Sequence, residues 1–438
     1  MKSLRTTSTY IAGIAFSMML LITSCTKEYQ DPSRAKTDVA LSSQQGLTAI
    51  SIGLQRVYSL GRTSVLYNSV AANGFVTNEL ALLNAGNVPE LQLSTGGAAV
   101  DGTNTILLNL WTSANKIVYD ADLVIANSAK LGDKGYAAGL IAYSSIFKAL
   151  AIGNMAQYWE KVPDGTGTNV PFITRNAAFT KAIAVLDNAL ATITANPIST
   201  TFLNNISFLN NKPLDIVNTI HALKARYALF SGNNTLALTE VNLVDLSKAA
   251  PFYFDATSPN VLFAVIASNN VFQPLNANLG LSGIYTPDAA DKRLTFYTKM
   301  DGAPVATLRM KGFAALTTSP FPIYLPGEMI LIKAEVLARQ SDLPNALIEL
   351  NKVVTKTPAS DAVYGLGADL PALTGTYTQQ QLLDLIYKHR CIELYASGLK
   401  IEDMRRFNQP LADRKRNFFP YPFPERDNNT NTPADPSF

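Results

Sequence analysis

Two cysteines and two histidines are all that this 438-residue chain offers in the way of thiol or imidazole chemistry. Cys25 ends the run Ile22-Thr23-Ser24-Cys25, the pattern of a lipobox, at which a bacterial lipoprotein precursor is cleaved and its cysteine acylated. The alternative is a plain secretory signal that happens to end in cysteine. With Cys25 acylated, Cys391 has no partner in the chain, so no disulfide is expected and Cys391 reads as a buried small apolar residue. His221 and His389 fall on different predicted helices without the spacing of metal ligands, which makes both ordinary helix residues. Glu393 and Glu402 could form an acid/base pair. They stand among Arg390, Arg405 and Arg406, however, and a salt-bridge network is the simpler reading. No nucleophile elbow or phosphate loop occurs, the nearest glycine pair being Gly365-Leu366-Gly367. The sequence therefore predicts no catalytic set, no metal site and no cofactor.

Charge excludes little more. Removing Lys2 and Arg5 with the targeting segment takes basic residues from 36 to 34 against 33 acidic ones. Arg405, Arg406, Arg414, Lys415 and Arg416 form a basic cluster, but Glu402, Asp403 and Asp413 are interleaved with it. A solvated face is expected there, with no nucleic-acid partner.

These residues must be held by helices. The stretch Tyr324 to Pro358 has the spacing of a tetratricopeptide-type hairpin, with Ile330, Lys333, Ala334 and Leu337 on its first helix and Ala346 and Leu350 on its second. Met329, Ile332, Val336 and Leu337 share one face, and Ala334 and Ala338 leave room for a neighbouring helix. Leu347, Leu350, Val353 and Val354 form the apolar face beyond the turn at Ser341-Asp342-Leu343-Pro344. Such a hairpin must stack on others. The apolar-Lys-Ala triplet recurs at Phe147-Lys148-Ala149, Leu223-Lys224-Ala225 and Ile332-Lys333-Ala334, the second copy followed by Ala237 and Val241 at the offsets of Ala346 and Leu350.

The fold class expected is mainly α, a tetratricopeptide-like helical-hairpin scaffold with an irregular, loop-rich ligand-binding insertion. Residues 1–24 read as a signal peptide, too short in its apolar run to span a bilayer comfortably, and no later stretch qualifies as a span. Residues 25–36 read as a lipidated flexible tether. Residues 37–438 read as one domain, with helical repeats over about 40–60, 106–250 and 324–410 and irregular insertions over about 61–105 and 251–322. The last long helix is expected to start at Thr378 as its N-cap.

Tyr387-Lys388-His389-Arg390-Cys391-Ile392-Glu393-Leu394, followed by Gly398, Asp403, Arg405 and Arg406, resembles the "ERRIEL…EG…DLRRW" element of SusD/RagB-like outer-membrane lipoproteins. Phe419-Pro420-Tyr421-Pro422-Phe423-Pro424-Glu425 resembles their "FPIP…E" segment. The hairpin from Tyr324 is similar to their "YLMRAEAYAR.GD…AL..LN.VR" block, and Trp111 to Asn127 to their "W…Y..I..AN.VL" helix. Asp122 departs from the family's Asn, and His389 and Cys391 replace charged positions. With the lipobox, the matches run in family order from residue 25 to the end.

The resemblance implies a lipoprotein on the extracellular side of the outer membrane. It would bind a glycan, or a peptide in RagB-type members, and deliver it as a hinged lid to a SusC-like TonB-dependent transporter. The rival reading is a periplasm-facing helical-repeat adaptor; an enzyme comes third. Sugar binding needs flat rings and amide or hydroxyl groups on surface loops. By region, the candidates are Asn73, Phe75 and Asn78 in the first excursion and Phe272, Asn276 and Tyr285 in the second. Each ring has a core reading beside it. Trp111 and Trp159 sit in helical patterns and read as packing residues. Phe75→Ala and Tyr285→Ala are expected to weaken ligand capture without unfolding the chain.

Overall fold

Most helices of this chain begin where the sequence supplies a side-chain oxygen for the orphan N–H groups of the first turn. The computed structural model describes residues 37–206, 214–268, 270–302 and 307–438. The expected targeting segment, Cys25 and the tether lie outside the described residues. Ser43 caps α1 (Gln44–Ser59), Ser64 caps α2 (Val65–Val76), and Asn104 caps α4 (Thr105–Ser128), with α3 (Val88–Thr95) between. Asp133, Thr174, Asp215 and Asn233 cap α5 (Lys134–Tyr158), α6 (Arg175–Ala195), α7 (Ile216–Phe230) and α8 (Asn234–Val241). After the insertion come α9 (Pro326–Arg339), with Pro326 in its first turn, and α10 (Leu343–Val354). Thr378 starts α11 (Gln379–Glu393) through a full capping box with Gln381, and α12 (Lys400–Arg406) follows.

From α4 to α10 each helix packs on the next, and α8 meets α9 directly although the insertion separates them in sequence. The array is the stacked helical-hairpin scaffold that the periodicity predicts. Lysines of the recurring triplet bridge neighbouring helices: Lys148 to Asp122 of α4 (2.5 Å), Lys224 to Glu240 of α8 (2.5 Å) and Lys333 to Glu349 of α10 (3.1 Å). The hairpin α9–α10 lies between two cores. Met329, Ile332 and Val336 face the main one, while Leu331, Ala334 and Ala338 pack with Ala346, Leu350, Val353 and α11's Ile386 in a second. Leu337 departs from its expected face and sits partly buried on that second core.

Two segments correct the sequence reading. Residues 61–105 hold α2 and α3 and are not simply irregular. Every residue of α2 is buried, and a helix enclosed on all sides carries no amphipathic period to be read. By length and composition α5 could cross a membrane, contrary to the expectation for any stretch after the signal. Its apolar window is 83% buried, so here it is the central core helix.

Buried charge locks the last helices in place. Arg390, fully buried, donates from Nε and Nη2 to Asp403 at 3.0 and 2.9 Å. Arg406 donates to Asp403 (2.6 Å) and to both oxygens of Glu335 (2.6 and 3.0 Å), which also accepts from Arg339 (2.9 Å). Burial pushes the Glu335 carboxyl up, but Arg406, Arg390 and Arg339 outweigh it and hold it below its ordinary value. The basic cluster is therefore internal framework at Arg405, Arg406 and Arg416, not a solvated face: its guanidinium groups hydrogen-bond carbonyls and carboxylates inside the fold.

A second buried group centres on Arg293, which pairs with Asp291 (2.7 Å) and Glu393 (3.0 Å). Its Nη2 lies 2.8 Å from Nδ1 of His389, which must accept and is therefore unprotonated there. Lys356 reaches Glu393 from the other side (3.2 Å). A Cβ on Gly327 would collide with Glu393 Oε1, so α9 can approach α11 only through glycine at that position. Glu393 thus has ion-pair partners, as expected, but they are Arg293 and Lys356; Arg390 serves Asp403 instead.

Burial first, then Arg293 and Lys388, hold the His389 pKa well below its ordinary value. The unfolded imidazole takes up a proton that the folded one refuses, so stability falls as pH drops below the unfolded value. Urea unfolding is expected to show a loss of up to about 1.4 kcal/mol per pH unit between about pH 6.5 and 5 from this residue. Comparing His389→Asn with the parent isolates it: the variant's pH slope in that window should be shallower, and an unchanged slope would contradict a neutral His389.

Candidate ligand-binding face

Residues 61–105 and the insertion over 251–322 are joined by one short ladder. β1 (Leu80–Leu82) pairs antiparallel with β5 (Phe272–Pro274), Leu80 opposite Pro274 and Leu82 opposite Phe272, while β2 (Lys161–Pro163), β3 (Phe172–Thr174) and β4 (Pro251–Phe252) belong to ladders elsewhere. Leu83 N–H to Val271 O (2.8 Å) and Leu275 N–H to Glu79 O (3.0 Å) extend the pairing. Gly280, at φ +75°, lies so close to the Asn78 carbonyl that any side chain would clash. Residues 76–79, 272–285 and 409–415 are thereby gathered on one side of the scaffold.

Of the six residues nominated from sequence, the structure brings three to this surface and buries three beneath it. Asn78, half-buried at φ +61°, donates to Asp413 O (3.3 Å). Asn276 is exposed, its Oδ1 accepting from Asn278 and Gly280 N–H (both 3.0 Å). Tyr285 is half-buried, edge-on to Tyr387 (centroids 4.9 Å), with its hydroxyl donating to Asp384 (3.2 Å) and accepting from Gln409 (3.0 Å).

Asn73, Phe75 and Phe272 are each 0% exposed, so they are not ligand contacts in this structure. Phe75 meets Phe272 edge to face (5.8 Å), and Phe272 stacks on Tyr67 (6.5 Å). Asn73 bridges elements: its Nδ2 donates to Glu79 Oε2 (2.6 Å) and its Oδ1 accepts the N–H of Ile401 in α12 (2.8 Å). Burial raises the Glu79 carboxyl above its ordinary value, against the pull of Lys400. All three residues of β5 are buried, together with Leu80 of β1, so the ladder itself is part of the core.

Next to the ladder, within the insertion, β6 (Thr298–Asp301) and β7 (Thr307–Met310) form a hairpin. Between it and the turn after Val261 opens a cleft of about 350 Å³. Phe263, Ile266 and Met310 give it apolar walls, and Asn270, Lys299, Asp301 and Arg309 give it polar ones. Arg309 Nη1 donates to Asn270 Oδ1 (2.5 Å), and Gln273, from β5, ties the two walls together by accepting from Met310 N–H (2.8 Å) and donating to Ile266 O (2.9 Å). A hydrogen bond and the charge of Lys299 keep the Asp301 carboxyl below its usual range. An apolar floor with amide, guanidinium and carboxylate groups at its edge can hold the C–H face of a sugar and bond its hydroxyls.

Sequence reasoning missed Asn270, Lys299, Asp301 and Arg309. The alternation of the hairpin was the available signal, since Lys299 faces Arg309 across its ladder. Among the described residues, no group of three His, Cys, Asp or Glu side chains is placed to hold a metal ion.

Trp111 and Trp159 are packing residues, edge to face at 4.8 Å. Their indole N–H groups bond Glu425 (2.9 Å) and Pro420 O (3.0 Å), which is how the carboxy-terminal segment is fastened to α4 and α5.

No family sequence model matches the chain, and the curated proteins contain no match. Solved structures do match over nearly the whole chain. A SusD superfamily protein from Bacteroides thetaiotaomicron is 14% identical, covers 90% of this chain and 100% of its own, and has a TM-score of 0.69. One from Bacteroides fragilis is 16% identical, covers 89% and 99%, and has a TM-score of 0.66. A chitin-binding SusD homolog from Flavobacterium johnsoniae is 13% identical, covers 90% and 97%, and has a TM-score of 0.69. This architecture, stacked helical hairpins interrupted by one loop-rich insertion, is the SusD-superfamily fold.

Proposed function

We propose that this chain is a lipid-anchored outer-membrane protein that captures a saccharide in the insertion cleft without altering it and delivers it to a SusC-like TonB-dependent transporter. The observation that carries the reading is the placement of a polar-rimmed cleft in the insertion of a SusD-type scaffold, beside the surface holding Asn78, Asn276 and Tyr285. The chitin-binding homolog and other solved SusD-like carbohydrate-binding proteins support a glycan as the ligand class. Exposed Leu83, Leu275, Ile284 and Leu411, on the segments that meet here, suit docking to a transporter over which the chain would close as a lid. The charged lining of the cleft favours a second ligand class, a short peptide, and both belong in one screen.

Calorimetric screening of the chain from residue 26 against oligosaccharides and peptides tests the reading; absence of any saturable binder would count against it. Arg309→Ala is expected to weaken the identified ligand by about tenfold or more, the worth of a charge-assisted hydrogen bond, with an unchanged melting temperature. Unchanged affinity would move the site out of this cleft. Anchoring is tested separately: Cys25→Ala should shift the protein from the membrane fraction to the soluble one. Protease shaving of intact cells distinguishes outward from periplasmic display.

A further inference from the structure

Among the helices, away from the insertion, a cleft of about 310 Å³ opens between the start of α6, the end of α7, and α12. Arg175, Arg339, Arg405 and Arg406 line it, with Glu402 as the one carboxylate on its wall. Glu402 accepts from Arg175 and from Arg405 (3.0 Å), and behind the wall Glu335 and Asp403 serve Arg339, Arg406 and Arg390. Five guanidinium groups thus share three carboxylates. Carbonyls of Ala156, Gln157 and Arg406 take up further N–H groups, which satisfies hydrogen bonds but not charge.

The donors are also in surplus. Arg406 has a side chain only 10% exposed, and its Nη1 has no hydrogen-bond partner. Among the described residues, the bonds of Arg175 and Arg339 use Nε and Nη2 and leave Nη1 over. Arg175 is moreover the first residue of the 21-residue helix α6, so the positive end of that helix is directed to the same place. Burial lowers the Arg405 guanidinium to about 10; Glu402 opposes the shift, and Arg175 and Arg414 add smaller contributions to it.

We infer that this cleft binds a small oxyanion, a sulfate, phosphate or carboxylate group received by Arg175 and Arg339 and favoured by the enclosed charge of Arg406 behind them. A planar guanidinium with a free edge matches each of these groups in geometry as well as charge. Glu402 is compatible with the site because Arg175 and Arg405 already neutralise it. The inference uses no residue of the insertion cleft and does not depend on the saccharide reading.

The test is calorimetry on the purified full-length protein with sodium sulfate, sodium phosphate and sodium glucuronate, against sodium chloride at equal ionic strength. At least one oxyanion should bind saturably at one site with millimolar affinity or tighter, and the three arms identify which. Asn176 is exposed at the lip of the cleft, at the second position of α6. Asn176→Asp places a negative charge there that the helix end tolerates, so the melting temperature should hold while the affinity falls by about tenfold or more. Arg339→Gln, which keeps a donor for Glu335, should weaken binding as well. No saturable heat with any of the three anions, or binding that Asn176→Asp leaves unchanged, overturns the proposal.

Discussion

Arg390→Ala is expected to destabilise the chain by about 3–5 kcal/mol, the penalty for breaking a buried ion pair from one side. Arg390 is fully enclosed and makes two parallel bonds to Asp403, with Glu335 3.9 Å away. Removing it leaves Asp403 dependent on Arg406 alone and lets α11 part from both α9 and α12. Urea unfolding measures the loss. A midpoint shift worth less than about 1 kcal/mol would show that Arg406 and Arg339 carry the network without it. Arg390→Met with Asp403→Leu provides the comparison, since exchanging both partners for apolar groups removes the stranded charge and should recover much of the loss. Glu335 adds a pH signature. Its folded pKa lies below the unfolded one, so its contribution is present above the unfolded carboxylate pKa and fades as pH falls through the folded value. Glu79, raised by burial, acts in the opposite sense. The parent's acid limb is therefore a sum of opposed terms, best read by difference between variants.

The network also explains which parts of the fold could be read from the chain. Glu335 follows Ala334 in the hairpin block, and Arg390, Asp403 and Arg406 belong to the last family-like element; the structure joins these two motifs through hydrogen bonds. The "FPIP…E"-like tail is explained in the same way by Trp111 and Glu425. Amphipathic helices such as α4, α6 and α10 are legible because one face of each is buried and the other is not. The buried helix α2 was not, since all its positions are enclosed. The candidate face is the least legible part. Its assembly depends on β1 meeting β5 across nearly two hundred residues, a pairing that no local period announces. Aromatic and amide residues chosen by region fall partly on this face, at Asn78, Asn276 and Tyr285, and partly beneath it. Region alone does not tell that β5 is buried along its whole length or that α2 is enclosed on all sides, and so Phe272 and Phe75 support from below the surface they are expected to form.

That distinction gives two substitutions opposite outcomes. Phe75→Ala empties a fully enclosed site between Phe272 and the core of α2, and should cost about 3–5 kcal/mol. Ligand affinity of the folded fraction should change little, because the ring touches no solvent. Tyr285→Ala removes a half-buried ring from Tyr387 and two hydrogen bonds at a surface already open to water. Its stability loss should be smaller, about 1–2 kcal/mol, while ligand affinity falls if the cleft and this face act together. Measuring urea midpoints and calorimetric affinities on the same preparations separates packing from recognition. Should Phe75→Ala keep its midpoint within about 1 kcal/mol and lose the ligand, its ring must reach the surface in the binding state. The packing of α2 against Phe272 would then have to be given up, since it is that packing which encloses Phe75.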